Sequence, residues 1–279
     1  TSKEDKKDNL FLEIFRKSNS LLGFSITSII GLYQIYNGSW DYGLLWIAIA
    51  FAVGFAIVVY NDGDKIEKDR ILVTYLAYLI VIVFWGAFEQ AGGLMNLYAS
   101  QKTDLALGSF MVPASWFQSV NAIFILIFAT AVGSFWIWWK KSGYEHSSLF
   151  KMALGVIIMG FGFFFMSMAA NEVGYDESGE ITKKSAMYWL VLAYLFHTIG
   201  ELCASPVALS FITKLAPARW GAFMMGAYFA ASGLGNKVAG LIGENASEIG
   251  DYTTFIGITI FCTIFGLLVI LILKPLKRL

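Results

Sequence analysis

The sequence has 279 residues, of which 57% are hydrophobic and only 14% are charged, and its formal net charge is zero. A soluble domain carries about 25% charged residues and rarely sustains long apolar runs, so the composition indicates a membrane protein and argues against a soluble domain. A chain without an excess of positive charge also gives no reason to expect a nucleic-acid partner.

Residues 1–18 form a charged segment that begins Thr-Ser-Lys-Glu-Asp-Lys-Lys-Asp. The segment contains no initiator Met, and its first nine residues lack the apolar core of a signal peptide. We interpret it as a cytoplasmic linker and expect that the chain begins within a longer polypeptide.

Apolar stretches long enough to cross a membrane recur from residue 19 onward. A helix needs about 20 such residues to cross a hydrocarbon core of about 30 Å. The eight candidates are 19–37, 42–60, 71–98, 118–139, 148–170, 185–213, 219–243 and 252–273. A run such as Ile71–Phe88 does not alternate as a transmembrane β-strand would. The sequence therefore predicts an all-α membrane protein with eight transmembrane helices.

The positions of Lys and Arg give these helices an orientation. If the amino terminus is cytoplasmic, 16 of the 20 Lys and Arg residues fall in cytoplasmic segments or at the cytoplasmic ends of spans, three fall outside, and Lys237 lies within a span. Cytoplasmic loops of membrane proteins are enriched in these residues. We therefore predict eight spans with both ends in the cytoplasm.

The first two spans differ from the other six. They are joined by the short segment Asn37–Asp41, and no charged residue lies between Ser18 and Trp40. We predict a two-helix transmembrane hairpin over 19–70, followed by a six-helix bundle over 71–279 that holds the intramembrane polar residues.

Glu89 is the first candidate functional residue in that bundle. An ionisable side chain at the membrane centre costs about 2.5–3.5 kcal/mol, so each one marks a possible functional site. Glu89 lies well inside the predicted span 71–98, and Gly92-Gly93 can loosen the helix after it. Two interpretations stay open: a carboxyl held neutral by local hydrogen bonds or wetted near the surface, and a proton-binding or ion-pairing group.

Glu201 is the second candidate, in span 185–213. Pro206 removes the amide that would bond to the Leu202 carbonyl, which favours a kink beside the carboxylate. His197 lies one turn earlier on the same face. It either shares a proton with Glu201 or is a structural histidine that bonds to a neighbouring helix.

Other polar and aromatic residues in the spans allow two interpretations each. Lys237 either reaches the outer surface of the membrane or belongs to the functional machinery. Asn121 either binds substrate or bonds to a neighbouring helix. Trp85 and Tyr228 either line a pocket or only pack. No spacing of Cys and His suggests a metal site.

Four motifs in this bundle occur in the order of a known family. They are Phe88-Glu-Gln90 followed by Gly92, Phe117-Gln-Ser-Val-Asn121, Gly200-Glu-Leu-Cys-Ala-Ser-Pro-Val-Ala-Leu-Ser210, and Met224-Met-Gly-Ala-Tyr-Phe229 with Gly235-Asn236 and Ala239-Gly240. With these motifs, residues 71–275 resemble the C-terminal half of the proton-dependent oligopeptide transporter family, a branch of the major facilitator superfamily. The preceding hairpin resembles the two extra helices that prokaryotic members carry between their halves.

The resemblance implies roles for individual residues. Glu201 would receive the amino terminus of a peptide, Asn121 would contact its backbone, and Glu89 would belong to the proton-coupling and extracellular-gate machinery. Ser205 and Pro206 would lie where the tenth helix flexes at the cytoplasmic gate. Tyr228 stands where the family commonly has Trp, and His197 matches no family site. The predicted substrate-binding residues are Glu201, Asn121, Ser205, Tyr228 and Trp85, and the predicted proton-coupling and gating residues are Glu89, Glu201, Pro206 and Lys237.

The resemblance also implies an activity. We expect proton-coupled symport of di- and tripeptides by alternating access in a bacterial inner membrane, with the proton as coupling ion, no other cofactor and no enzymatic chemistry. The Glu-x-x-Glu-Arg motif of the family's first helix is not in this sequence. We therefore expect the chain to work with an N-terminal six-helix half.

Two alternatives remain open. The same family includes carriers of nitrate and other small solutes, although Glu201 is complementary to an amine and favours peptides. A helical channel or a structural membrane protein would fit the topology, but it would not need Glu89 and Glu201 on separate helices of the bundle.

Overall fold

The computed structural model describes the backbone of residues 14–276 and the side chains of residues 14–273. Most of the predicted linker 1–18, together with Lys277 and Arg278, lies outside the described residues. From Ser18 onward the helices are α1 (Ser18–Tyr36), α2 (Trp40–Asp62), α3 (Lys65–Phe88), α4 (Leu94–Lys102), α5 (Trp116–Lys141), α6 (Ser148–Glu172), α7 (Met187–Leu215), α8 (Gly221–Ile249) and α9 (Asp251–Leu276).

Contacts divide the described residues into two compact units. The first contains residues up to Tyr75 together with Leu215–Phe223, and the second contains Leu76–Lys214 and the chain from Met224 onward. The loop between α7 and α8 therefore belongs to the same unit as α1 and α2. The predicted division into a hairpin 19–70 and a bundle 71–279 stays a prediction.

In the first unit, α1 and α2 pack against each other after a tight turn. Gly38 adopts a φ of 84° in that turn, which suits a residue without a Cβ atom. The loop after α7 joins this unit through Arg219, whose Nε donates to Asp62 Oδ2 over 2.9 Å and whose Nη2 donates to Glu67 Oε2 over 2.6 Å. The indole N–H of Trp220 also donates to Asp62 Oδ2, over 3.1 Å.

Six stretches of the described residues are helical, long and apolar enough to cross a membrane. They are Trp40–Asp62, Lys65–Lys102, Trp116–Lys141, Ser148–Glu172, Met187–Leu215 and Asp251–Leu273. The predicted spans 19–37 and 219–243 correspond to α1 and α8, which are helices but are not among these six. The total of eight spans and the cytoplasmic position of both ends stay predictions.

The predicted span 71–98 lies within the helical stretch Lys65–Lys102, but Glu89 is not buried, and the helix is interrupted beside the Gly92-Gly93 pair that the sequence marks as a weak point. The α-helix ends at Phe88, a 3₁₀ turn covers Glu89–Ala91, and α4 begins at Leu94. Gly93 has φ −98° and ψ −97°, outside the helical region, and two glycines in a row are poor helix formers. The N–H groups of Gly92 and Gly93 both reach the Glu89 carbonyl, over 3.2 and 3.3 Å. The Glu89 side chain is half-buried.

Short strands join two loops of the second unit and add a minor β component to the predicted all-α fold. They are β1 (Thr103–Asp104), β2 (Ala106–Leu107), β3 (Phe110–Met111), β4 (Gly174–Tyr175), β5 (Ile181–Lys183) and β6 (Ser185–Ala186). Strand β1 pairs with β6 in parallel, whereas β2–β3 and β4–β5 are antiparallel. Lys102 forms an ion pair of 2.5 Å with Asp251 nearby. The ends of α4, α7 and α9 are thereby held together.

Helix α6 packs closely against α7 and α9. Gly155 and Gly200 face each other so tightly that a Cβ atom on Gly155 would lie 2.7 Å from the Gly200 carbonyl oxygen. Small residues at such a crossing let helix backbones approach closely. This contact fixes α7, the helix that carries Glu201, against a buried neighbour.

Candidate functional site

Helix α7 presents a row of polar groups on one face. Tyr194, Thr198 and Glu201 are three or four residues apart, so their side chains lie one above another. The helix is continuous from Met187 to Leu215 and contains Pro206, whose side chain is exposed. Thr198 is fully buried, whereas Glu201 is half-buried rather than buried.

Asn121 of α5 links two of these residues. Its Nδ2 donates to Glu201 Oε2 over 3.0 Å, and its Oδ1 accepts from the Thr198 hydroxyl over 2.5 Å. That hydroxyl also lies 2.8 Å from the Tyr194 carbonyl oxygen. Within the described residues, no ion pair involves Glu201. These contacts therefore bind one oxygen of the Glu201 carboxylate, and none of them places a cation beside it.

Hydrogen bonds from two sides hold the irregular turn that carries Glu89. Gln90 is buried and its Nε2 donates to the Ala239 carbonyl of α8 over 2.9 Å. The Tyr194 hydroxyl donates to the Ala91 carbonyl over 3.1 Å. Backbone groups that the helix break leaves unpaired must find partners when buried, and here α7 supplies one such partner.

A cavity of about 180 Å³ lies between this turn, α5 and α7. Its lining residues are Phe88, Glu89, Ala91, Gly92, Gln118, Asn121, Tyr194 and His197. It is smaller than typical small-molecule sites of about 300–1,000 Å³. Its lining includes the carboxyl-bearing residue Glu89 and the amide-bearing residue Asn121.

Three predicted substrate-binding residues lie elsewhere. Trp85, Ser205 and Tyr228 line a second cavity of only about 10 Å³. Such a space holds about one water molecule. The structure brings Asn121 together with Glu201 and places Asn121 beside the same cavity as Glu89, but it does not bring Trp85, Ser205 or Tyr228 into that group. Lys237, half-buried in α8, lines neither cavity.

His197 fits neither interpretation drawn from its position. Neither ring nitrogen has a hydrogen-bond partner among the described residues, so no bond joins it to Glu201 or to a neighbouring helix. The side chain is 1% exposed, and its ring centroid lies 4.5 Å from that of Phe163. Packing, rather than hydrogen bonding, holds the ring in this structure.

Sequence reasoning did not identify Thr198 or Gln118 as site residues. Thr198 lies three residues before Glu201, so its spacing on a helix was a usable indication. Gln118 lies three residues before Asn121 and lines the same cavity. The sequence alone does not show which residue of one helix will contact a polar residue of another helix.

Comparisons with known proteins support a single family. A family model described as the POT family matches residues 7–254. The chain is 34% identical over 241 residues to the peptide transporter YePEPT of Yersinia enterocolitica, a match that covers 85% of this chain and 46% of that protein. It is 28% identical over 272 residues to a di-/tripeptide transporter of Lactococcus lactis subsp. cremoris, covering 91% of this chain and 52% of that protein.

Solved structures show the same fold. A crystal structure of the peptide transporter POT in complex with sulfate matches 92% of this chain and 52% of that chain with a TM-score of 0.76, at 24% identity. A structure of a POT family transporter in complex with 5-aminolevulinic acid matches 99% of this chain and 56% of that chain with a TM-score of 0.74. The chain spans about half the length of the curated relatives it matches.

Proposed function

The chain belongs to the POT family of transporters and is a multi-pass membrane protein, and on this premise we propose that it is the C-terminal half of a proton-coupled symporter of di- and tripeptides. The YePEPT and Lactococcus relatives are named as a peptide transporter and a di-/tripeptide transporter, which supports this class of substrate. The bacterial relatives also support a place in the inner membrane. We propose a six-helix N-terminal half as the partner.

Glu201 is the proposed anchor for the amino terminus of the peptide. Asn121 holds Oε2 from one side, and the ion pairs of the described residues do not include Glu201. An ammonium group would therefore meet a carboxylate that is oriented in advance. Charge-assisted bonds of this kind are stronger than neutral ones, which favours an amine over a solute such as nitrate.

Glu89 is the proposed proton-coupling group. It lies beside the same cavity as Asn121, on a turn that is bonded to α7 and α8. A carboxyl on such a turn can change its contacts without breaking a regular helix, because the helix already ends at Phe88. Proton binding at Glu89 would shift the equilibrium between the open and closed states of the outer end of the cavity.

The proposed transport cycle divides the binding site between two halves. Transporters of this kind bind substrate between pseudo-symmetric halves and move them against each other. The cavity of about 180 Å³ would form one wall, to which the partner half adds groups for the peptide carboxylate. Pro206 and Ser205 on α7 would permit bending at the inner end.

The observation that carries this proposal is the Asn121–Glu201 pair beside the cavity that Glu89 also lines. The test reconstitutes the full-length transporter in liposomes and measures uptake of a labelled dipeptide under an inward proton gradient. We expect uptake that a protonophore collapses, and no uptake by the 279-residue chain alone. Gradient-independent uptake would contradict proton coupling, and uptake by the chain alone would contradict the half-transporter proposal.

A further inference from the structure

The loop between α7 and α8 makes contacts that the proposed function does not use. Only residues 216–220 separate Leu215, the last residue of α7, from Gly221, the first residue of α8. Pro217 is buried, and its carbonyl accepts a hydrogen bond from the Trp220 N–H over 2.8 Å. A loop this short and this well bonded has little slack, so a contact that it makes also restrains the end of α7.

Arg219 in this loop bonds to the ends of two other helices. Its Nε donates to Asp62 Oδ2 over 2.9 Å, and its Nη2 donates to the Asp62 carbonyl over 3.0 Å and to Glu67 Oε2 over 2.6 Å. Asp62 is the last residue of α2, and Glu67 lies in the first turn of α3. Carbonyls in the last turn of a helix have no partner within it, and the guanidinium group provides one for Asp62. The Trp220 indole donates to the same carboxylate oxygen, over 3.1 Å.

The carboxylate of Glu67 is held in position by its own helix. Its Oε2 accepts a hydrogen bond from the Asp64 N–H over 3.2 Å, and the Glu67 N–H donates to Asp64 Oδ1 over 2.8 Å. Such a reciprocal pair is a capping box at the start of α3. Because ordering two flexible side chains weakens an ion pair, an acceptor that is already ordered favours the pair with Arg219.

These bonds are nevertheless open to water. The side chains of Arg219, Asp62 and Glu67 are 48%, 42% and 23% exposed. Exposed ion pairs are individually weak, because water competes for the charges and salt screens them. Several weak bonds on one loop can hold a conformation and still open in every transport cycle.

We infer that Arg219 is a gating residue. Its ion pairs with Asp62 and Glu67 hold the end of α7, and they open when α7 bends. This inference rests on the proposed function, which places that bend at Pro206. The part of α7 from Pro206 to Leu215 is about 14 Å long. A kink of about 20° would displace its end by about 5 Å, which is longer than any of these hydrogen bonds.

The same residues lie away from the proposed substrate site. Neither of the two cavities described above is lined by Arg219, Asp62 or Glu67. Removing their charges should therefore change the rate at which α7 rearranges much more than it changes the affinity for peptide. This difference separates a gating residue from a substrate-binding residue.

The test removes the cation and its acceptors separately in the full-length transporter. The variants are Arg219→Gln, the double variant Asp62→Asn with Glu67→Gln, and the triple variant that combines all three substitutions. Hydrogen–deuterium exchange at residues 207–215 reports the freedom of α7 beyond Pro206. We expect Arg219→Gln to raise this exchange about two- to tenfold, the range for a few exposed ion pairs. The double variant should match it, and the triple variant should add nothing, because both sets of substitutions remove the same contacts.

Transport supplies the second measurement. The maximal rate of dipeptide counterflow should change about two- to tenfold in Arg219→Gln, while the dissociation constant stays within about twofold of wild type. Arg219→Lys keeps the charge but lacks the fork that reaches both carboxylates, so its exchange and rate should be intermediate. Lys214→Gln is the matched control, because this exposed lysine in the last turn of α7 takes part in no ion pair of the described residues. It should behave as wild type.

Several outcomes would overturn the inference. Wild-type exchange at residues 207–215 in Arg219→Gln would show that the loop does not hold α7, and an additive triple variant would show that the substitutions act through different contacts. A lower melting temperature with wild-type counterflow would assign Arg219 to stability alone. Failure of the wild type to bind or exchange dipeptides would instead overturn the proposed function, and the exchange at residues 207–215 would still report whether Arg219 holds α7.

Discussion

The side-chain amide of Asn121 on α5 donates to Oε2 of Glu201 on α7 over 3.0 Å. The other end of the same amide accepts a hydrogen bond from Thr198, one turn away on α7. Turning the amide round would place its carbonyl against the carboxylate and its N–H₂ against the hydroxyl. A carboxylate only accepts, whereas the Thr198 hydroxyl can either donate or accept, so it is the contact with Glu201 that selects the orientation of Asn121 in which the amide offers a donor.

Replacing Glu201 with Gln in the full-length transporter should abolish dipeptide uptake. The substitution keeps the shape of the side chain but removes the charge that matches an ammonium group, and hydrogen bonds to charged groups contribute about 1.5–3 kcal/mol. Binding should weaken roughly ten- to hundredfold. Equilibrium binding and uptake measure the effect, and Glu180→Gln in an exposed loop is the control. Wild-type uptake by the Glu201 variant would refute the role of this carboxylate.

Asn121→Leu should weaken peptide binding more than Thr198→Val. Asn121 contacts Glu201 directly and lines the cavity, whereas Thr198 acts through the amide of Asn121. The loss of one neutral hydrogen bond contributes about 0.5–1.5 kcal/mol, so Thr198→Val should raise the dissociation constant about two- to tenfold. Titration of the purified variants gives both constants. A larger effect at Thr198 would mean that it contacts the substrate itself.

Glu89→Gln should impair proton-driven uptake more than peptide counterflow. Counterflow exchanges labelled for unlabelled peptide without net proton movement, so it reports binding and rearrangement alone. The amide cannot bind and release a proton but preserves the size of a side chain at the cavity edge. Paired liposome assays compare the two modes. Equal losses in both would assign Glu89 to substrate binding.

Gly155→Ala should lower the thermal stability of the transporter. The added methyl group would lie 2.7 Å from the Gly200 carbonyl oxygen, and backbone cannot move aside as a flexible side chain can. Forced overpacking of this kind costs about 1–3 kcal/mol. Gly257→Ala in α9, where nothing lies within 4 Å, is the matched control and should not lower the melting temperature. Thermal melting in detergent compares the two variants, and an equal melting temperature for both would exclude a tight α6–α7 contact.

Exchanging the charges of Lys102 and Asp251 should restore stability that either single substitution removes. The two side chains form an ion pair of 2.5 Å and are 26% and 18% exposed. Lys102→Asp and Asp251→Lys each place like charges together, and the double variant pairs them again. We expect a coupling of about 1 kcal/mol, the upper range for partly exposed pairs. A double variant no more stable than the sum of the single variants would show that the pair contributes nothing.

Hydropathy predicted most of the helices correctly because apolar length is a local property of the chain. Gly92-Gly93 indicated a weakened helix after Glu89, but apolar length does not give the position of the break, which also depends on the hydrogen bonds of Gln90 and Tyr194. The positions of those partners depend on how α3, α7 and α8 pack. A window of consecutive residues contains no information on that packing.

The candidate site was predicted in part for the same reason. Glu201, Asn121 and Glu89 were each identified by an unusual residue within an apolar run. The link through Thr198 and the packing of the His197 ring depend on which residues of α5 and α6 lie opposite α7. The ring packs against Gly162, where a side chain would clash with it, yet Gly162 is an ordinary small residue in the sequence of α6.

Arg219 has a consequence for anyone who would shorten this protein. Its guanidinium group and the neighbouring Trp220 indole both bond to Asp62, the last residue of α2, while a second bond from Arg219 reaches Glu67. Excising α1 and α2 would therefore remove acceptors from a loop about 150 residues away, which separates α7 from α8. The hairpin therefore cannot be deleted without leaving Arg219 and Trp220 without these acceptors. A shortened protein would also need substitutions at Arg219 and Trp220.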